Sequence, residues 1–221
     1  MFEKIRADML RAHHQSTAPR AVDVLRLLWR DNGLQSLVIY RFGRWLCRLR
    51  KRPWGWMITP LLYPVYGMLS VCFRKVSGIC LEQSADIAPG LYIGHFGGIE
   101  VKNCRIGPDC SIHHQVRLGP EESTVPGLVI GKGVWIGAHA RIGAGVSVGD
   151  GATIGAGAVV TRDIPQRCLV LGNPCRIACR DYDNSRYLRL CHPPADSDST
   201  TPADVAVPAA PEPVSQTDHK E

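Results

Sequence analysis

A parallel β-helix is the fold this sequence predicts, and three observations predict it. First, aliphatic side chains fall on a six-residue comb: Ile87, Ile93 and Ile99, then Ile106, Ile112 and Leu118, then Ile130, Ile136, Ile142, Val148, Ile154 and Val160. Second, a glycine directly follows many of these teeth, at Gly94, Gly107, Gly119, Gly131, Gly137, Gly143, Gly149 and Gly155. Third, a small or medium residue stands four places after several teeth, as at Val134, Ala140, Val146, Ala152 and Ala158. A period of six is neither the 3.6 of a helix nor the two of a free strand. It suits a chain that turns a corner every six residues and sends one aliphatic residue per flat face into a narrow core. Strands of a sandwich alternate with period two between turns of irregular length. The teeth from Ile130 to Val160 keep step without a slip.

The 221 residues suffice for one main domain with additions. A net charge of +6 hides an asymmetry. Residues 1–80 carry 14 Lys and Arg against 4 Asp and Glu, residues 81–190 carry 11 against 10, and residues 191–221 carry 1 against 6. Positive charge confined to the leading segment, with no reading motif beside it, argues against a nucleic-acid partner. The nine cysteines contain no CxxC pair. Cys104, Cys110 and Cys168 stand where the comb wants small apolar residues, so the set reads as reduced thiols in a cytoplasmic protein. The start, MFEKIRADMLRAHHQ, is charged and lacks the apolar run of a cleavable signal.

Taken in order, residues 1–78 read as a basic, partly apolar helical segment. Helical spacing runs from Val24 to Leu28 and from Leu34 to Leu49, with Asn32-Gly33 as punctuation between two helices. Arg41, Arg44 and Arg48 form a basic row on the second helix, read either as a solvated face or as a patch facing phosphate or membrane. Residues 53–73 are uncharged and flanked by Arg52 and by Arg74-Lys75. They are long enough to span a bilayer of about 30 Å, but Gly55, Pro60, Pro64 and Gly67 interrupt them. A buried or interfacial helix is expected, with peripheral membrane contact through residues 41–75. The coil domain is expected over 79–178. Residues 119–129 interrupt it, with Thr124 in a tooth position and Pro120 and Pro126 favouring an extruded loop. A short cap over 179–190, with residues 176–190 expected as a last helix, precedes a Pro- and acid-rich disordered tail at 191–221.

Within the coil, polar residues out of place are the informative ones. His95 stands in YIGHFGG between glycines that permit close backbone approach. An imidazole of pKa near 6.5 is suited to take a proton from a hydroxyl at neutral pH, and a surface corner histidine is the competing reading. His113 and His114 are adjacent, and His139 stands at a corner facing solvent. No spacing supports a metal site.

The comb, the histidine in GHFGG, the IHHQVRLG turn and the ending VVTRDIPQRCLVLGNPCRI resemble the hexapeptide acyltransferases, in particular serine O-acetyltransferase and its relatives, over residues 79–178. The lead-in NGLQSLVIYRFGRWLCRL is similar too. This resemblance implies a mainly β fold, a left-handed parallel β-helix behind an α-helical amino-terminal segment. It implies a homotrimer, with dimers of trimers as an extension, and acetyl-CoA in a groove between neighbouring coils. It implies direct transfer, His95 deprotonating the acceptor hydroxyl while a backbone amide stabilises the oxyanion. Gly119, Ala138 and Ala156 are then expected along the pantetheine arm, and Arg162 and Arg176 at the CoA phosphates. Pro120, on a third aligned backbone position, offers no N–H. Gly94, His114, Glu121 and Glu122 are expected near the acceptor.

Departures from the serine enzymes bear on that acceptor. Gly94 stands where the resemblance implies an aspartate before the histidine, Cys80 where it implies the dyad aspartate, and Pro126-Gly127 where it implies an Arg-His pair. Those groups would recognise the ammonium and carboxylate of an amino acid. Their absence argues for a neutral acceptor, such as a sugar hydroxyl of a surface or exopolysaccharide precursor. Serine O-acetylation of cysteine biosynthesis is the alternative reading, and a non-catalytic trimeric scaffold the second.

Overall fold

A computed structural model of the chain describes residues 2–13, 29–94, 97–119 and 127–190. Its centre is a left-handed parallel β-helix whose flat faces are three sheets. The first sheet stacks β1 (Ile79–Leu81), β4 (Ile99–Val101), β7 (Arg117–Leu118), β10 (Arg141–Ile142) and β13 (Val159–Val160). The second stacks β2 (Asp86–Ile87), β5 (Cys104–Ile106), β8 (Leu128–Ile130) and β11 (Ser147–Val148). The third stacks β3 (Tyr92–Ile93), β6 (Ser111–Ile112), β9 (Trp135–Ile136), β12 (Thr153–Ile154) and β14 (Leu169–Leu171), closed by antiparallel β15 (Arg176–Cys179).

The comb explains the stacking. All twelve teeth are at most 4% exposed. They meet in parallel register, Ile93 on Ile112 on Ile136 on Ile154 on Val170. Val134, Ala140, Val146, Ala152 and Ala158 are buried beside them, and Cys104, Cys110 and Cys168 fill core positions as expected. At the corners the chain adopts positive φ, for example at Gly157 (+68°) and at His139 (+61°). Glycine meets that requirement freely, whereas a side chain pays for it in local strain.

Rung length records the interruption expected at 119–129, although Leu128 and Val129 already belong to β8. Ile142 pairs with Val160, 18 residues on. Leu118 pairs with Ile142, 24 residues on, so this rung carries six extra residues while every strand above it stays in phase. Residues 120–126, with the Thr124 position, lie outside the described set.

Among the described residues, three helices precede the coil: α1 (Phe2–His13), α2 (Asn32–Leu49) and α3 (Gly55–Ser77). Asp31, rather than the Asn-Gly pair, starts α2: its carboxylate accepts from Leu34 N at 3.1 Å as an N-cap. The helical spacing read from Val24 to Leu28 falls outside the described residues.

Arg41 corrects the picture of a uniform basic face on α2. It is 5% exposed and bonds Asp8 of α1 at 3.1 Å. Its other donors reach Ile87 O and, at 2.8 Å, Ala88 O. Asp8 also accepts from Gly90 N at 2.8 Å. Tyr40 donates to Ala85 O at 2.7 Å. One buried polar node therefore fastens both helices to the first rung. Burial pushes the Asp8 carboxyl up, against the opposing pull of Arg41.

At the carboxyl end the expected helix is split. Residues 176–179 complete the third sheet as β15, and only Ser185–Leu190 are helical (α4). Asn184, buried, donates to Gly133 O at 2.8 Å and seats α4 on the coil.

Candidate active site

The strand register places several of the expected site residues at one corner, where the third sheet turns into the first. One residue past each tooth come Gly94, His113, Gly137 and Gly155, and two past come His114, Ala138 and Ala156. His95 occupies that second place after Ile93 in the sequence, and it lies outside the described residues. Its neighbours are described. Gly94 N donates to Ile112 O at 2.9 Å, and Gly97 O accepts from Gln115 N at 2.8 Å. Backbone bonds also tie the rungs along this corner, His139 N to His114 O at 3.0 Å and Gly157 N to Ala138 O at 2.8 Å.

Two features, one at this corner and one farther across the first sheet, were not legible as such in the sequence. His113 is half-buried, and its Nδ1 lies 3.1 Å from Ile136 O. A carbonyl partner there favours the tautomer with the proton on Nδ1, which leaves Nε2 as an acceptor. That Nε2 is 3.6 Å from where a Cβ on Gly94 would stand. The ring also packs on Trp135 (centroids 4.8 Å apart), which packs on Tyr187 of α4 (5.2 Å). An aromatic wall thus leads from the Gly94 corner across the third sheet. His114 faces His139 edge-on, with ring centroids 5.4 Å apart.

The second feature is a cleft of about 170 Å³ on the first sheet, lined by Glu100, Lys102, Arg117, Gly119, Arg141 and Thr161 among others. Arg117 and Arg141 are register neighbours on adjacent strands. Like charges so placed repel, and Glu100 offsets part of this through Lys102 at 2.6 Å and Arg117 at 4.0 Å. Such a surface attracts an anion. The clue in the sequence was an arginine directly before a tooth in Arg117-Leu118 and again in Arg141-Ile142.

The remaining expected residues are more dispersed. Gly119 lines the cleft, one corner away from Ala138 and Ala156. Arg162 is exposed just past β13, and Arg176 is exposed at the start of β15, so the two arginines sit on different faces of the prism. Glu121 and Glu122 lie outside the described residues. Cys80 lies in β1. Burial pushes the Cys104 thiol up to about 12 and Cys110 up to about 11, which makes them inert core groups rather than nucleophiles. Among the described residues no group of His, Cys, Asp and Glu is arranged to hold a metal.

The sequence matches the family described as bacterial transferase hexapeptide (six repeats) over residues 127–162. A serine acetyltransferase of Synechococcus elongatus is 29% identical over 183 residues, covering 81% of this chain and 70% of that protein. The galactoside O-acetyltransferase of Escherichia coli K12 is 41% identical over 76 residues, covering 34% of this chain and 37% of that protein. Among solved structures, the serine acetyltransferase of Vibrio cholerae superposes with a TM-score of 0.68 at 26% identity, covering 85% of this chain and 69% of that one. A serine acetyltransferase solved in complex with CoA gives 0.61 at 28% identity, covering 80% and 68%. Coil, register and relatives agree: the chain is similar to the hexapeptide-repeat acyltransferases, the serine acetyltransferases among them.

Proposed function

We propose that the protein is an acetyl-CoA-dependent O-acetyltransferase of the serine acetyltransferase type. One observation carries the reading: the register lines up Gly94, His113, Ala138 and Ala156 at one corner, beside a cationic cleft. The fit to acetyl-CoA rests on that surface. Ala138, Ala156 and Gly157 leave the corner flat, and a Cβ at Gly157 would meet nothing within 4 Å, so an extended pantetheine chain can lie against it. Arg117, Arg141 and Lys102 supply charge for phosphates, with Arg162 at the outer end and Arg176 a more distant contributor.

In this reading His95 is the general base. It takes the proton of the acceptor hydroxyl as the oxygen bonds the acetyl carbon, and a backbone N–H steadies the oxyanion. When the carbon–sulfur bond breaks, the imidazolium returns the proton to the departing thiolate. His113, fixed by Ile136 O, borders the acceptor side with His114. The functional unit is a homotrimer, pairing into hexamers as an extension. The thiols of the described residues are unpaired, as suits the cytoplasm.

The relatives named serine acetyltransferase cover most of the chain and favour serine as acceptor over the sugar hydroxyl that the sequence departures favoured. A specific observation keeps the sugar reading second. Gly94 and Cys80 bring no carboxylate to the site, and the aromatic wall of His113 and Trp135 suits a sugar ring. Thiol release from acetyl-CoA tests both. Serine-dependent release supports the first, release only with galactosides or glycan precursors supports the second, and none with any hydroxyl points to a scaffold. His95→Ala should lose at least about a hundredfold in turnover; unchanged turnover would reject His95 as the base.

A further inference from the structure

Helix α3 has its polarity reversed. Of the positions that face the protein, Gly55, Thr59, Tyr66, Ser70 and Ser77 are small or carry hydroxyls, and Leu62 and Phe73 are the half-buried large apolar ones. Tyr66 accepts from Gln83 Nε2 at 2.6 Å, and Ser77 Oγ bonds both Phe73 O and Ile79 N. The outer positions are apolar and exposed, including Trp56 (69%), Met57, Leu61 (76%), Val65 and Met68 (63%). A helix in water sorts its residues the other way. Charge follows the same logic. The run from Pro53 to Phe73 is uncharged, exposed Arg50, Lys51 and Arg52 precede it, exposed Arg74 and Lys75 end it, and no Asp or Glu occurs between Asp31 and Glu82.

We propose that α3 lies in the plane of an anionic bilayer as a one-sided anchor, its outer face sunk to the acyl boundary. The basic clusters at its two ends then meet anionic headgroups, and Trp54 and Trp56 sit at the polar–apolar boundary. By length and mean hydropathy of 1.4 the helix could cross a membrane. Its inner face argues otherwise, because α2 and β1 pack along it and would be drawn into hydrocarbon with Gln83 and Glu82. Pro60 and Pro64 also remove the N–H partners of the Trp56 and Pro60 carbonyls, which is tolerable near headgroup water and costly at the bilayer centre. A second copy is the weaker occupant. Two α3 helices packed antiparallel would set Arg50–Arg52 of one against Arg74 and Lys75 of the other, with no acidic residue on either helix to offset them.

The test is co-sedimentation of the full chain with phosphatidylcholine vesicles, with and without phosphatidylserine, read together with tryptophan emission. The chain should bind the phosphatidylserine vesicles with a blue shift that Trp54→Phe/Trp56→Phe removes. Leu61→Glu/Met68→Glu, on the exposed face, should weaken binding at least about tenfold. Arg74→Glu/Lys75→Glu should do the same through charge alone, which covers the case of a first variant that misfolds. Thiol release without vesicles should be unchanged in both, so failure here is separable from failure of the acetyl-transfer reading. The proposal is overturned by equal binding of wild type and variants, by resistance of the bound chain to alkaline extraction (a span), or by no binding. Self-association that Leu61→Glu/Met68→Glu abolishes would likewise overturn it in favour of a second copy.

Discussion

Replacing Arg41 by Met tests whether the buried node holds the helices to the coil. The substitution keeps the stem but removes every donor that Arg41 sends to Asp8, Ile87 O and Ala88 O. Asp8, 1% exposed, keeps its backbone partner Gly90 N but loses its counter-charge. Leaving one member of a buried pair uncompensated costs about 3–5 kcal/mol. Asp8→Asn strands the guanidinium instead and should fall in the same range. In the double variant Asp8→Asn/Arg41→Met neither charge remains, so the two losses should overlap, with a coupling of about 2 kcal/mol. Urea unfolding of the four proteins measures this. The pH dependence carries a sign. In Arg41→Met the Asp8 carboxyl rises further above its unfolded value, because the Arg41 charge and hydrogen bond that lowered it are gone. A group that holds its proton more tightly when folded adds stability as pH falls, so the defect should shrink on acidification from neutral pH. Losses that add to within about 0.5 kcal/mol, together with a defect that does not change with pH, would refute the reasoning.

Two further outcomes follow from the coil. Arg117→Ala and Arg141→Ala should each raise KM for acetyl-CoA about tenfold with little change in kcat, since the proposed function sets them at the phosphates and not at the reacting atoms; steady-state kinetics checks this, and a fall in kcat at unchanged KM contradicts it. Cys104 and Cys110 should resist a thiol reagent until the chain unfolds, whereas exposed Cys72 and Cys179 react at once. Because burial holds the Cys104 and Cys110 thiols near 12 and 11, and unfolded cysteine ionises near 8.5, the unfolded chain releases these protons first. Stability should therefore decline as pH climbs above about 9, by about 1 kcal/mol per thiol per pH unit, as followed by urea midpoints.

The coil could be read from the sequence because one rule, a buried aliphatic residue every six, governs each rung locally. Ile136 declares its place without reference to anything distant. The site was only half legible, for the same reason reversed. Gly94, Ala138 and Ala156 share one corner through a register that the comb counts out. The pairing of Arg117 with Arg141 depends on the 24-residue rung, and the orientation of His113 depends on a carbonyl 23 residues away. Arg41 misled as one of a row of three, because its partner Asp8 lies on another helix across residues 14–28. The uncharged stretch at 53–73 announced an unusual helix but not which face would be left outside.

The lengthened rung between Leu118 and Ile142 has a bearing on how such proteins diversify. A rung can accept added chain at one corner while the floors above and below keep their alignment, much as a balcony leaves the stairwell untouched. The segment beside Gly119 can thus be exchanged between relatives without retuning the interior. The length of chain at that corner and the packing of the core can then vary independently.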